Sequence, residues 1–195
     1  MTTLLLARHG ETDWNTERRW QGHDDQPLNE AGRKQARELG ASLAGRQIDA
    51  VYASDLSRAH ETATIVAAEL GLPVVTDVRL REVDVGDWSG RRMLDIEAED
   101  PEGHERWRTG GKGWNGGESY EEMGERVVAA LLDLASRHPG ETLLVVTHGG
   151  SIRACRASAA GLDYRASRVS AIGSMANCEV VELHVDADRL RTPIG

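Results

Sequence analysis

The chain has 195 residues, a length that fits a single domain with a sizeable core. Its formal net charge of -9 argues against a nucleic-acid partner, which would need a basic face. The first residues carry no positive charge, and no apolar run approaches the ~18 residues that span a bilayer. The sequence therefore predicts a cytoplasmic protein with no membrane partner.

The two cysteines, Cys155 and Cys178, lie in mostly apolar surroundings and show no Cys-x-x-Cys spacing. This pattern favours two reduced core thiols over a disulfide or a zinc site. We therefore expect no structural role for cysteine cross-linking or metal binding.

A short apolar run, Leu4-Leu5-Leu6-Ala7, leads directly into Arg8, His9 and Gly10. Such a run is typical of a buried strand in a parallel sheet, and open α/β sheets bind ligands just beyond the carboxyl ends of their strands. A glycine beside the imidazole lets the backbone bend sharply or approach a ligand closely. The sequence predicts a site at Arg8 and His9; the alternative is a solvated Arg-His pair at a strand end.

The following segments alternate between helical and extended patterns, as in an α/β protein. We predict a helix from Asn29 to Gly45, a strand at residues 48–53, a helix from about residue 59 to Gly71 and a short strand at residues 72–76. Arg58 falls near the amino end of the second helix, where a cation opposes the helix dipole. Its position indicates that an anion needs the charge.

The second half of the chain begins with a predicted loop at residues 80–90, a helix at about 93–99 ended by Pro101, and a glycine-dense loop at 108–117. That loop lacks the Gly-Lys-Ser/Thr ending of a nucleotide-binding loop, so it is interpreted as a lid or a connector. The remaining predicted elements are a helix that starts at the Ser119 capping box and ends near residue 138, a strand at 142–147, a helical stretch through 160 and a half-exposed strand at 178–185.

Three apolar strands thus end in cationic or ionisable residues: Arg8 and His9, Arg58, and His148. In a parallel sheet these ends share one edge, so the two His-Gly pairs face each other if their strands are central. The alternative is that each histidine caps its own strand independently. The predicted fold is α/β, a three-layer sandwich with a mostly parallel central sheet and helices on both faces.

Six motifs, in order, resemble those of the histidine phosphatase (phosphoglycerate mutase-like) superfamily, and the resemblance runs from residue 4 to about residue 160. They are Arg8-His9-Gly10-Glu11-Thr12 with Trp14-Asn15, Gln21-Gly22, Asp55-Leu56-Ser57-Arg58-Ala59 with Glu61-Thr62-Ala63, Leu80-Arg81-Glu82 with Gly86-Asp87-Trp88, Gly116-Gly117-Glu118-Ser119, and Val145-Val146-Thr147-His148-Gly149-Gly150. The Gly86-Asp87-Trp88 and 173–177 segments are also similar to those of bacterial glucosyl-3-phosphoglycerate phosphatases, and α-ribazole phosphatases share the 82–90 pattern.

The resemblance implies one histidine phosphatase domain over residues 1–195, with no cofactor and no metal. It makes His9 the nucleophile, Glu82 the proton donor, and Arg8, Arg58 and His148 the catalytic phosphate clamp. It also places Asn15, Gln21, Gly22 and Gly149 at the substrate phosphate. The residue types agree, because two guanidinium groups and an imidazolium stabilise the equatorial oxygens of a transferring phosphoryl group.

This chemistry sets protonation requirements. His9 must be neutral to attack, while His148 is expected to be protonated to hold phosphate, so their pKa values must be pushed apart. Glu82 must protonate the leaving alkoxide and then act as a base for water, which predicts a bell-shaped pH profile with an acidic to neutral optimum. The alternative for Glu82 is a solvated carboxylate paired with Arg81.

The function predicted from the sequence is metal-independent hydrolysis of a small phosphorylated metabolite, of the phosphoglycerate or sugar phosphate type, through a phosphohistidine. Three alternatives remain: a phosphoglycerate mutase, a non-catalytic module that binds phosphorylated ligands, and an enzyme that removes phosphate from protein histidines. The short chain and Thr12 favour the phosphatase over the mutase.

The substrate pocket is expected to take its wall from a lid or cap segment at residues 83–118 and from residues 173–177. Trp88, Trp107 and Trp114 offer either stacking faces for a sugar or packing within the lid, and packing is favoured. An apolar edge strand near Val180 suggests a homodimer as one possibility.

Overall fold

The computed structural model describes residues 1–164, 173, 175–186 and 188–193. Within these residues a six-stranded sheet has the spatial order β3-β2-β4-β1-β5-β6. Strands β1 to β4 are parallel, β5 pairs antiparallel with β1, and β6 pairs antiparallel with β5. The strands are β1 Thr2–Arg8, β2 Ala50–Ala53, β3 Val74–Thr76, β4 Thr142–Thr147, β5 Val180–Asp186 and β6 Arg189–Arg191. The predicted α/β class and mostly parallel sheet are confirmed, and β1 and β4 are adjacent at its centre.

Seven helices are present in the described residues: α1 Asp13–Thr16, α2 Glu30–Leu43, α3 Ser57–Leu70, α4 Met93–Glu99, α5 Pro101–Arg108, α6 Tyr120–Arg137 and α7 Gly149–Ala159. Capping interactions define the ends of two of these helices. Asn29 caps α2 by accepting a hydrogen bond from the Gly32 N–H, and α3 ends at Gly71 in the left-handed conformation. None of the described helices is both long and apolar enough to cross a membrane.

The sheet separates two apolar layers because successive strand residues point to opposite faces. Leu4 and Leu6 pack in the larger core cluster, which includes Met123 and Leu131 of α6. Leu5 lies in the other cluster, together with side chains of α2 and α3. This arrangement confirms the three-layer sandwich.

Helix α5 was not predicted, because Pro101 was interpreted only as the end of the preceding helix. Proline also suits the first turn of a helix, where its missing N–H needs no partner. Here Pro101 begins α5, and Asp100 caps that helix through the Gly103 N–H. One proline therefore separates two short helices.

Strand β6 follows β5 at the edge of the sheet, but no strand of the described residues pairs with the outer side of β5 near Val180, which agrees with the predicted edge there. Val180 pairs with Ala7 of β1, and β6 pairs with the last three residues of β5. The Arg-Leu-Arg sequence of β6 has no apolar pattern that would reveal a strand. A homodimer stays a prediction.

The tryptophans of the predicted lid pack against one another. Trp88 and Trp114 are buried, and their ring centroids lie 5.5 Å apart. Trp20 from the first loop joins them, with centroid distances of 5.7 Å to Trp88 and 5.6 Å to Trp107. The glycine-dense loop is tied to the same cluster, because the Asn115 N–H donates to Asp87 Oδ1. The geometry favours packing over a sugar-stacking role.

Candidate active site

The predicted site residues lie together beyond the carboxyl ends of β1, β2 and β4. A cavity of about 340 Å³ at this edge is lined by Arg8, His9, Asn15, Gln21, Gly22, Arg58, Glu82 and Gly149, all of which were predicted. The ring of His148 stands next to it, with its centroid 5.3 Å from that of His9. The parallel order of the strands thus brings residues from positions 8 to 149 to one place.

His9 is buried, and its geometry fixes one neutral form. Its Nδ1 lies 2.7 Å from the carbonyl oxygen of Gly10, to which it donates its proton, so Nε2 carries the free lone pair. Burial lowers the pKa of His9 well below its ordinary value, and the charges of Arg58 and Arg8 lower it further. Gly10 must be a glycine because a Cβ there would lie 2.6 Å from the Gly32 carbonyl oxygen.

His148 is also buried, and Ser54 contacts its ring. Ser54 Oγ lies 2.9 Å from Nε2, and Nδ1 has no hydrogen-bond partner among the described residues. Burial lowers the pKa of His148 well below its ordinary value, with a further contribution from Arg58. Burial and these charges favour a neutral ring in the protein without phosphate, whereas the protonated His148 expected from the sequence concerned the phosphate-bound site. If the Ser54 hydroxyl donates to Nε2, the neutral ring keeps its proton on Nδ1 and remains a donor.

Two arginines complete a set of unpaired buried donors. Arg8 Nη1 donates to the Met175 carbonyl at 2.5 Å, while Arg58 donates to the carbonyls of Gly22 and Asp24, both at 2.8 Å. In each arginine, Nε is buried and has no partner in the described part of the chain. Burial lowers the pKa of Arg58 to about 10, so it stays charged at neutral pH. Buried donors normally have acceptors, so these indicate an anion site.

The Asn15 and Gln21 side chains lie at the same cavity. The Asn15 amide oxygen accepts from the Thr12 N–H at 3.0 Å and closes the capping box of α1, which leaves its NH₂ group as a donor. The Gln21 side-chain oxygen is buried without a partner among the described residues. The side chain of Asn177, in the 173–177 segment expected to form part of the pocket wall, donates to the His9 carbonyl at 2.9 Å.

Glu82 faces the cavity from the loop after the 3-10 turn Val78–Leu80. Its Oε2 accepts from the Gly150 N–H at 2.9 Å and its Oε1 from the Val83 N–H at 3.0 Å. Arg81 turns away and pairs with Asp55, with Nε 2.7 Å from Oδ1. The alternative in which Glu82 pairs with Arg81 is therefore wrong.

Arg126 of α6 holds the loop that carries Glu82. Its guanidinium donates to the carbonyls of Arg79, Arg81 and Glu82, at 2.8, 3.1 and 3.2 Å, and it forms an ion pair with Glu118. Glu118 in turn accepts from the Asp84 N–H at 3.2 Å. Glu118 belongs to the Gly116-Gly117-Glu118-Ser119 motif, which the sequence singled out without assigning its contacts.

The outer wall of the cavity differs in part from the prediction. The 83–118 segment contributes Val83, Val85 and Met93, and the 173–177 segment contributes Met175. Ser174 of that segment lies outside the described residues. The 108–117 loop does not line this cavity. The lining residues not predicted here are Arg18, Arg19, Trp20, Tyr120, Gly150 and Arg153.

Gly150→Ala tests the position of Glu82. A Cβ at residue 150 would collide with the Glu82 carboxylate, which is the end of a flexible side chain and can move away. We expect kcat to fall ~10- to 100-fold through loss of acid catalysis, with a nearly unchanged unfolding free energy. Steady-state kinetics measure kcat, and urea unfolding measures the free energy of unfolding. Full activity would contradict the position assigned to the Glu82 carboxylate. Gly140→Ala is the control for activity: its φ of +85° strains an alanine, so this variant should lose some stability but keep its activity, because residue 140 lies outside the cavity lining.

The two buried histidines make stability depend on pH. Their unfolded pKa values lie near 6.5 and their folded values well below, so acid favours the unfolded state, which binds more protons. Stability is complete above the unfolded pKa and is lost below it, by up to about 1.4 kcal/mol per pH unit for each histidine. Urea unfolding between about pH 5.5 and 7.5 measures the slope. His148→Gln should make it shallower, and an unchanged slope would contradict the assignment.

Comparisons with known proteins identify the family of this chain. The family model of the histidine phosphatase superfamily (branch 1) matches residues 4–192. The chain belongs to this superfamily, as its motifs predicted. The family and its phosphatase-named members support the class of phosphomonoester hydrolases.

Individual relatives show the range of names within the family. Phosphoglycerate mutase-like protein 4 of Arabidopsis thaliana is 44% identical over 155 residues, which cover 77% of this chain and 67% of the relative. Metal-independent phosphoserine phosphatase of the same plant is 35% identical and covers 95% and 77%. The structure of a mycobacterial glucosyl-3-phosphoglycerate phosphatase with VO3 superposes with a TM-score of 0.86 at 33% identity, and the match covers 97% and 95%.

Proposed function

We propose that this protein is a metal-independent phosphomonoesterase that acts through a phosphohistidine on a small phosphorylated metabolite of the phosphoglycerate or sugar phosphate type. The observation that supports it most is the free Nε2 of a neutral, buried His9 beside three buried N–H donors without partners among the described residues. A nucleophile and an anion clamp at one cavity are what phosphoryl transfer requires.

In the first step, His9 Nε2 attacks phosphorus while the bond from phosphorus to the ester oxygen breaks. Arg8 and Arg58 hold the phosphoryl oxygens with charge-assisted hydrogen bonds, and His148 donates from Nδ1. Protonated Glu82 gives its proton to the departing alkoxide. His9 then carries the phosphoryl group on Nε2 and a proton on Nδ1, and the Gly10 carbonyl accepts from that proton.

In the second step, a water molecule replaces the departed alcohol and attacks the phosphohistidine. The Glu82 carboxylate takes a proton from this water, the bond between Nε2 and phosphorus breaks, and its electron pair returns to Nε2. Inorganic phosphate leaves and Glu82 is again protonated. Asn15, Gln21, Gly22 and Gly149 line the phosphate end of the pocket in this scheme.

The proposal also covers the domain, the cap segment and the class of substrate. Residues 1–195 form one histidine phosphatase domain, and the 83–118 segment forms the cap of the pocket. Relatives named as phosphoserine phosphatase and glucosyl-3-phosphoglycerate phosphatase support a small phosphorylated substrate for this chain. A binding module without catalysis is disfavoured because the nucleophile, the acid and both arginines are all present at the cavity.

Phosphoglycerate mutase activity is the second candidate, because several relatives carry that name. The decisive assay offers the protein 3-phosphoglycerate, glucosyl-3-phosphoglycerate, phosphoserine and a chromogenic aryl phosphate in the presence of EDTA. We expect release of inorganic phosphate. Interconversion of 3- and 2-phosphoglycerate without phosphate release would show a mutase, and neither activity would favour the binding module.

A further inference from the structure

The cavity contains more positive charge than a phosphate group needs. Its lining includes five arginines and one carboxylate, that of Glu82, in a chain with a net charge of -9. Arg8 and Arg58 face the phosphoryl group, and Arg19 is paired with Glu17 at 2.5 Å. Two cations remain, Arg18 and Arg153, and neither side chain makes a hydrogen bond or ion pair with a described residue.

Arg153 extends the phosphate site along one face of α7. Arg153 follows Gly149 by four residues and Gly150 by three, so it is a helix-surface neighbour of each, and all three residues line the cavity. Gly149 lies against Arg8, since a Cβ there would be 3.5 Å from Arg8 Nε, and the Gly150 N–H holds Glu82. Arg153 lies one helical turn beyond these two glycines, and its side chain is only partly buried.

The guanidinium of Arg153, which pairs with no described residue, acts electrostatically on Arg8. Burial is the main cause that lowers the pKa of Arg8, and the charge of Arg153 contributes to the lowering, whereas Glu82 opposes it. Once a phosphate dianion is bound by Arg8 and Arg58, Arg153 and Arg18 still have no ion-pair partner among the described residues. A second anionic group on the substrate would balance them.

We infer that the leaving alcohol of the substrate carries a carboxylate, which Arg153 binds at the outer side of the cavity, with Arg18 as an exposed second cation. This inference rests on the proposed function. A planar guanidinium fork matches a carboxylate with two parallel hydrogen bonds. A cavity of about 340 Å³ is at the small end of ligand sites, so the carboxylate belongs to a compact molecule, the monophosphate of a small hydroxy acid.

A matched pair of substrates tests the inference: 3-phosphoglycerate and glycerol 3-phosphate, which differ by a carboxylate in place of a hydroxymethyl group. In Arg153→Met we expect kcat/KM for 3-phosphoglycerate to fall ~10- to 100-fold, the value of one charge-assisted hydrogen-bonded pair. For glycerol 3-phosphate we expect a change of less than ~3-fold, which also shows that the variant is folded. Arg37→Met, at an exposed arginine of α2, is the control for loss of charge alone.

Equal losses for both substrates would overturn the inference, because they would show a general attraction for phosphate, and so would an unchanged 3-phosphoglycerate rate. A measurement on the wild-type protein avoids dependence on the variant: the methyl ester of 3-phosphoglycerate should react ~10- to 100-fold more slowly than the free acid, and equal rates would contradict a carboxylate site. His9→Ala is assayed alongside, and retained activity there would contradict the proposed function whatever the result for Arg153.

Discussion

Replacing His9 with alanine will lower kcat/KM for every phosphomonoester by ~10⁴-fold or more, because the attacking atom is lost. The fold should remain, because among the described residues the His9 ring hydrogen-bonds only to the carbonyl of its neighbour Gly10. Removal of a buried group with a strongly lowered pKa should also leave stability less sensitive to acid. Release of inorganic phosphate and urea unfolding at two pH values measure these effects.

His60→Ala is the matched control, because His60 is an exposed histidine on α3, outside the cavity lining. It should keep wild-type activity. An active His9→Ala protein would remove the nucleophile from the proposed mechanism, whereas loss of activity together with unfolding would leave the His9→Gln variant, which is closer in volume, to make the same test.

Replacing Glu82 with glutamine will produce a loss that depends on the leaving group. Glutamine keeps an oxygen that can accept from the Gly150 N–H but has no acidic proton to give. For an alkyl phosphate we expect kcat to fall ~10²- to 10⁴-fold, the usual contribution of general acid catalysis. An aryl phosphate should be affected much less in the first step, because a phenolate leaves without a proton.

The second step of the aryl phosphate reaction then becomes visible. Because a glutamine amide cannot take a proton from water, the phosphoenzyme of E82Q should accumulate and give a burst of phenol release followed by slow turnover. Stopped-flow measurement with the chromogenic ester records the burst, and the wild-type protein gives the reference trace. An equal loss for aryl and alkyl esters, with no burst, would show that Glu82 is not the acid and base.

The fold was predictable where apolar runs and caps are strong. The three strand ends before His9, Ser54 and His148 were recognised because β1, β2 and β4 are apolar and buried. Helix α6 was recognised from the Ser119 capping box, which the structure contains. Strand β6 was not, because its single buried side chain, Leu190, forms no pattern, and α5 was missed because a proline both ends and begins helices.

The sequence predicted the site residues that belong to recognisable motifs. It did not predict protonation states and side-chain pairing, which depend on tertiary contacts. His9, Glu82 and Arg58 come from motifs and lie at one cavity. The lowered pKa of His148 could not be foreseen, because its causes, burial of the ring and the charge of Arg58, arise from tertiary contacts. Arg153 gave no signal because an arginine on a helix is usually a solvated residue; its lack of a partner among the described residues is visible only in the structure.

The phosphoryl group on His9 is the central claim, and rapid quenching tests it directly. The wild-type protein and E82Q are mixed with an aryl phosphate, quenched within the burst phase and digested, and the peptide that contains residue 9 is analysed by mass spectrometry and phosphorus NMR. We expect one phosphoryl group on Nε2 of His9, labile to acid and stable to alkali, with more in E82Q than in the wild type. Turnover without a phosphorylated His9, or phosphate on another residue, would contradict the mechanism.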